Sequence, residues 1–294
     1  MSASSAAASA ASQDQTELPQ AKTKVALPRR NKPHYRALFL SDLHLGTKDC
    51  QADALLAFLK SVRCDTLYLL GDIVDLWAMS KLAHWPQTHS DVVRAILSKA
   101  RRGTRIVYIP GNHDRPLRHH VKQVFGNIAL QRDSVHVTAS GKRYWLVHGD
   151  EFDVHVRCNR LLELIGDKSN DWLVRLNRHL NRLRLRLGLP YFSLAGYIKQ
   201  RIGKARAYIE RYETAVATET ARRGFDGVIC GHIHVAASKS LAGIAYRNNG
   251  DWVETCSALV EDVDGEIRLL FRPLQRQRSG ELEPFSLPSL ADAA

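Results

Sequence analysis

The sequence predicts an α/β fold: a buried sheet core interrupted by one long helical insertion. Three observations carry this. Five short apolar runs each end in a polar, glycine-containing motif: YRALFLSDLHLG, DTLYLLGDIVDLW, TRIVYIPGNHD, KRYWLVHGD and DGVICGHIH. Helical patterns separate the first three runs, which gives β-α-β-α-β. A basic helical stretch, 154–224, then breaks the rhythm before the strand pattern resumes at Asp226.

Taken in order, residues 1–33 are rich in Ala, Ser, Gln and Pro, without apolar periodicity, and read as a disordered tail. Their basic residues come last and no compact apolar stretch accompanies them, so they do not read as a secretory signal. The domain runs from 34 to 275. Strand runs cover Tyr35–Leu40, Thr66–Leu70 and Arg105–Ile109, and helices cover about 51–63 and 90–102. The runs are almost continuously apolar, as suits strands buried on both faces. Beyond the insertion, Asn249-Gly250 and Asp264-Gly265 punctuate short strands and read as hairpin turns. Residues 276–294 read as a frayed tail.

The chain carries a net charge of +12 over 294 residues. Residues 157–206 hold twelve Lys or Arg against three acids, most of that excess. A basic face points to an anionic partner: a phosphorylated substrate, a phospholipid surface or nucleic acid. Within it, Leu173, Leu176, Leu180, Leu183 and Leu187 form one helical stripe, and Arg175, Arg178, Arg182 and Arg186 an adjacent one. Two readings of this basic amphipathic helix, 171–187, stay open: a cap packed on the core by its leucines, or contact with an anionic membrane surface.

Five cysteines at wide spacing, without CxxC, argue against a disulfide framework or structural zinc and for a reducing cytosol. No apolar run is long enough for a transmembrane helix. Oligomeric state leaves no trace in the sequence.

The polar residues at the strand ends carry the chemistry. They are Asp42 and His44, Asp72, Asn112 with His113 and Asp114, His148, and His232 with His234. All offer oxygen or imidazole and none is a thiolate, which suits Mn²⁺, Fe²⁺, Zn²⁺ or Mg²⁺. There are more ligands than one ion needs, which points to two metals. Residues two apart in an extended segment face one way, so Asp42 with His44, and His232 with His234, should each act as a pair. The glycines that precede the motifs, Gly71, Gly111 and Gly231, should let the backbone turn sharply.

SDLHLG, GDIVDLW, GNHD, HGD and GHIH together resemble the motif series of the calcineurin-like metallophosphoesterase superfamily over residues 36–271. The resemblance implies two facing mixed β-sheets flanked by helices, with the insertion as a cap. It implies one metal on Asp42, His44, Asp72 and His234, and a second on Asp72, Asn112, His148 and His232. It implies hydrolysis by metal-activated hydroxide attacking phosphorus, manganese being the first expectation for both ions. His113 would donate a proton to the leaving group or stabilise phosphoryl charge, and Asp114 would orient His113. Asp75 and Asp150 stand either as supports of the ligands or as turn caps.

The insertion and NNGDWVE resemble the bacterial UDP-2,3-diacylglucosamine diphosphatase group of lipid A biosynthesis. That resemblance implies a lipid-linked nucleotide substrate and a cytoplasmic protein peripheral to the inner face of the membrane. Where the best-known branch has Arg in GNRD, this chain has His113, so it resembles a side branch. Substrate-contacting residues are not identified. Two alternatives remain: a phosphoesterase for nucleotides, phosphoproteins or nucleic acid, and a non-catalytic scaffold. The scaffold is disfavoured because all seven ligand positions are filled.

Overall fold

The computed structural model describes residues 32–82, 84–153, 176–177, 179–184, 186–187 and 203–271. Both expected tails beyond 31 and 271, and most of the insertion, lie outside the described residues. The described strands are β1 (His34–Leu40), β2 (Arg63–Leu70), β3 (Arg105–Ile109), β4 (Val124–Phe125), β5 (Ile128–Leu130), β6 (Ser134–Val137), β7 (Arg143–Leu146), β8 (Gly227–Cys230), β9 (Ala237–Leu241), β10 (Ile244–Asn248), β11 (Ser257–Glu261) and β12 (Ile267–Phe271). Around them lie the helices α1 (Ala52–Ser61), α2 (Leu76–Lys81), α3 (Gln87–Arg101) and α4 (Gly203–Arg222).

Two mixed sheets form. One runs β12-β11-β1-β2-β3-β5-β4 and the other β6-β7-β8-β10-β9. Strand alternation builds the layers, because successive side chains point to opposite faces. Ala37 and Phe39 of β1 turn inward with Tyr68, Leu70, Val107 and Ile109, and meet Tyr144, Leu146 and Ile229 of the second sheet. Leu38, Leu40, Leu67, Leu69 and Ile106 turn outward, beneath Leu55, Phe58 and Leu59 of α1 and Val92 and Ile96 of α3. On the far side, Tyr212 and Val216 of α4 cover Trp145, Val228, Cys230 and Tyr246. Each fully buried leucine of these layers stabilises the fold by roughly 1.5–3 kcal/mol.

This topology decides where chemistry can occur. β1, β2 and β3 are parallel, with Leu40 opposite Leu69 and Leu70 opposite Ile109. β7 and β8 are also parallel, with Leu146 opposite Ile229. All five polar motifs therefore leave the two sheets at one common edge, where open α/β sheets place ligands.

One sequence expectation is corrected. Asn249-Gly250 does not close a hairpin. β10 pairs with β8 and β9, whereas β11 pairs with β1 and β12, so residues 249–256 cross from one sheet to the other. The crossing is fixed by side chains: Asn248 Nδ2 donates to Gly231 O at 2.8 Å, and Ser257 Oγ donates to Asn249 O at 2.8 Å. Of the described residues of the leucine stripe, Leu176, Leu183 and Leu187 are exposed and Leu180 is half-buried, while Asn177 and Asn181 are buried and hydrogen-bonded to each other. No helix of the described residues is long and apolar enough to cross a membrane.

Candidate metal centre

The loops after the strands are locked by backbone pairing. Asp42 N donates to Gly71 O at 3.0 Å, and His44 N donates to Asp72 O at 2.9 Å. Within these loops Asp42, His44, Asp72, His232 and His234 have φ of 52°, 49°, 54°, 72° and 55°. Left-handed backbone is uncommon for residues with a side chain and persists where the surroundings over-determine it. The pairs Asp42/His44 and His232/His234 are thus not delivered by an extended strand. Left-handed turns aim each side chain separately.

Gly111 and Gly231 are needed for space rather than for a turn. Neither lies in the left-handed region, but a Cβ on Gly111 would strike the Asp72 carboxylate, and one on Gly231 the Asp42 carboxylate. Only Gly71, at φ +83°, fits the turning role.

The candidate ligands assemble as two groups that share Asp72. His234 Nε2 lies 3.3 Å from Asp42 Oδ1 and 3.3 Å from His44 Nε2, and His44 Nε2 lies 4.0 Å from Asp72 Oδ2. On the other side His148 Nε2 lies 3.3 Å from Asp72 Oδ2 and 3.1 Å from Asn112 Oδ1. Asp42, His44 and His234 form one set of donors close enough to hold an ion, and Asp72, His148 and His232 another. So His232 and His234 serve different groups.

The opposite ring nitrogens are anchored outward. His44 Nδ1 meets Asp75 Oδ2 at 2.9 Å, His148 Nδ1 meets Leu70 O at 2.8 Å, His232 Nε2 meets Asp153 Oδ2 at 2.9 Å, and His234 Nδ1 faces Asp251 Oδ2 at 3.8 Å. An outward hydrogen bond that fixes ring orientation while the other nitrogen points inward is the arrangement of metal-bound imidazoles. Among the described residues, no hydrogen bond of good geometry reaches buried Asp42 Oδ1, His234 Nε2 standing 3.3 Å away. The residues therefore fit divalent cations.

Electrostatics agree. Burial would raise the Asp42 carboxyl, yet His234 and His148 outweigh it and hold it at about 2. Asp72 is likewise held well below the usual range, burial being overcome by His148, His44 and His113. Burial would lower His148, but Asp72, Asp42 and Asp150 pull it up to about 10. Among the described contacts these carboxylates are met by imidazoles and not by Lys or Arg. A pocket that draws protons onto imidazole this strongly has the charge to draw a metal cation instead.

His113 stands at the rim, its side chain 25% exposed, with Nδ1 2.9 Å from Asp75 Oδ2 and its ring 4.7 Å from that of His44. The expectation that Asp114 orients it is corrected. Asp114 is fully buried and accepts hydrogen bonds from Ile73 N, Tyr108 Oη and Gly111 N, so it ties the second and third loops together. Asp75 is the group that orients His113, and it also caps α2 by accepting from Ala78 N at 2.7 Å. Asp150 pairs with Arg118 Nη2 at 2.7 Å, and Arg118 also donates to Pro110 O. The sequence offered no signal for Asp153 or Asp251, whose partners are close only in the fold.

Comparison with known proteins follows this geometry. The family profile described as calcineurin-like phosphoesterase matches residues 35–236. Three relatives share the name UDP-2,3-diacylglucosamine hydrolase. That of Vibrio cholerae (strain O395) is 26% identical over 81% of this chain and 97% of its own length. That of Azotobacter vinelandii is 29% identical over 69% of this chain and 83% of its own. The Blochmanniella pennsylvanica protein is 31% identical over 52% of this chain, which spans just over half, 57%, of that relative.

Proposed function

The chain belongs to the calcineurin-like phosphoesterase family and is a metal-dependent phosphoester hydrolase, and from that premise we propose that it cleaves the pyrophosphate of a UDP-diacylglucosamine-type lipid precursor. The observation that carries this is the alignment with the Vibrio relative of that name along 97% of the relative's length.

Asp42, His44, Asp72 and His234 would hold one cation, and Asp72, Asn112, His148 and His232 the other. When bound, such ions supply a nucleophile at neutral pH and neutralise phosphoryl charge. The oxygen and imidazole donor set accepts Mn²⁺, our first choice, as well as Fe²⁺, Zn²⁺ or Mg²⁺. The protein's own residues do the rest. Asp75 engages His113 Nδ1, which leaves Nε2 to hydrogen-bond a phosphoryl or leaving-group oxygen. Burial would lower the His113 pKa, but Asp75 and Asp72 outweigh it and raise it.

The same reading places the protein at the inner face of the cytoplasmic membrane. Support comes from Leu176, Leu183 and Leu187, exposed beside exposed Arg182 and Arg186: apolar contact for acyl chains next to cations for headgroups. The His113 that replaces the arginine of the GNRD form favours a second reading, a phosphoesterase acting on nucleotides, phosphoproteins or nucleic acid.

The deciding experiment is turnover by purified full-length protein in Mn²⁺ of UDP-2,3-diacylglucosamine beside bis(p-nitrophenyl) phosphate. Release of UMP from the lipid supports the proposal. Cleavage of the aryl diester alone would replace the lipid reading with the second one.

A further inference from the structure

We propose that Asp153, itself held by Tyr208, is the positioning residue for the His232 imidazole. His232 sits on left-handed backbone, φ 72°, so its side chain needs a hold from outside its own loop. Asp153 Oδ2 lies 2.9 Å from His232 Nε2, with the two side chains 21% and 13% exposed. The other oxygen of the same carboxylate accepts from Tyr208 Oη at 2.6 Å. Both oxygens are thus committed, and the carboxylate cannot swing away without losing one partner. One turn further along α4, the fully buried Tyr212 packs its ring 6.1 Å from that of His232.

The chemistry follows from the two nitrogens of one ring. A carboxylate at Nε2 keeps the proton there, which leaves Nδ1 with the lone pair a cation requires. The negative charge also raises the basicity of Nδ1. Asp75 orients His44 and the neutral Leu70 carbonyl orients His148 in the same way, but through Nδ1. Asp153 differs in where it comes from. Asp153 and Tyr208 lie on the two stretches that flank residues 154–202, so the roots of the insertion meet at a candidate ligand.

The inference rests on the metal reading above, and its test separates the two. Chelator-stripped full-length protein is titrated calorimetrically with Mn²⁺ as wild type, Asp153→Asn, Asp153→Ala and Tyr208→Phe, with thermal unfolding as a check on folding. Wild type is expected to show two binding steps. Asp153→Ala should weaken one of them about 10–100-fold and leave the other unchanged. Asp153→Asn, which still accepts from Nε2 but lacks the charge, should fall between, and Tyr208→Phe should lose about fivefold. Should Asp153→Ala fail to fold, Asp153→Asn alone decides. Two steps unchanged in these variants would overturn the role of Asp153 and leave the metal centre standing. Complete loss of one step in Asp153→Asn would make Asp153 a ligand and overturn it too. Absence of binding by wild type would overturn both readings.

Discussion

Two buried clusters in this molecule join histidine to carboxylate, and they differ in kind. Between the sheets, His136 Nε2 meets Glu261 Oε2 at 2.7 Å, Tyr68 Oη meets His136 Nδ1 at 3.2 Å, and Ala139 N donates to Glu261 Oε1 at 2.8 Å. Both residues lie in regular strands, β6 and β11. At the strand ends, Asp42, His44, Asp72, His148, His232 and His234 turn nitrogens and oxygens toward one another, and five of these six sit on left-handed backbone. In the first cluster both ring nitrogens of His136 and both oxygens of Glu261 face complementary groups, Arg36 Nε standing 3.2 Å from Glu261 Oε1. The second is open inward, and among the described residues no hydrogen bond of good geometry reaches Asp42 Oδ1. Burial and titratable chemistry are common to both. Converging donors on strained backbone separate a site from a structural pair.

The contrast also shows in proton affinity. Burial lowers His136 despite Glu261, whereas three carboxylates carry His148 up to about 10. Between the sheets one carboxylate is shared by the His136 ring and the Arg36 guanidinium, which itself opposes a proton on His136. Excess negative charge gathers at the strand ends.

The difference can be broken by mutation. Asp72→Ala removes the group shared by both candidate sets and should cost at least ~10³-fold in kcat/KM, since metal-ion stabilisation is worth several kcal/mol. Assay with an aryl phosphodiester checks this, and near-normal activity would contradict it. Asp75→Asn leaves both sets intact but loosens His44 and His113, and should lower kcat about 10–100-fold with little change in Tm.

His136→Ala should do the reverse. It removes the partner of Glu261 Oε2 but leaves Oε1 to Ala139 N and Arg36 Nε, and should cost about 1–3 kcal/mol in urea unfolding, with kcat per folded molecule unchanged. An equal loss of activity would erase the distinction between the clusters. The smallest effect concerns pH. With His136 held below its ordinary 6.5, its contribution to stability is complete above that value and is lost as pH falls through it. Between about pH 7.5 and 5.5, wild type should therefore lose up to ~1.4 kcal/mol per pH unit relative to His136→Gln. Parallel urea midpoints for the two proteins would contradict the shift.

Much of this was legible in the sequence, for a physical reason. Strands buried on both faces leave continuous apolar runs, and a site at their common edge leaves its ligands right after them, as in SDLHLG and GHIH. What was not legible depends on contacts between distant segments. Nothing near Asp75 shows that it grips both His44 and His113, and nothing near Asp114 shows that its oxygens belong to Ile73, Tyr108 and Gly111. Asn249-Gly250 carries a hairpin signature, yet its flanking strands join different sheets. The spacing of Asp42 and His44 suggested a pleat, where the chain uses two left-handed residues. The leucine stripe was legible as a stripe, but sequence alone could not say that Leu183 and Leu187 face outward.

The most direct measurement is an anomalous difference map, recorded at the manganese edge, from crystals of full-length protein grown in Mn²⁺. Two peaks should flank Asp72, one among Asp42, His44 and His234 and the other among Asn112, His148 and His232, with no peak between His136 and Glu261. One peak or none at the strand ends would contradict the two-metal account.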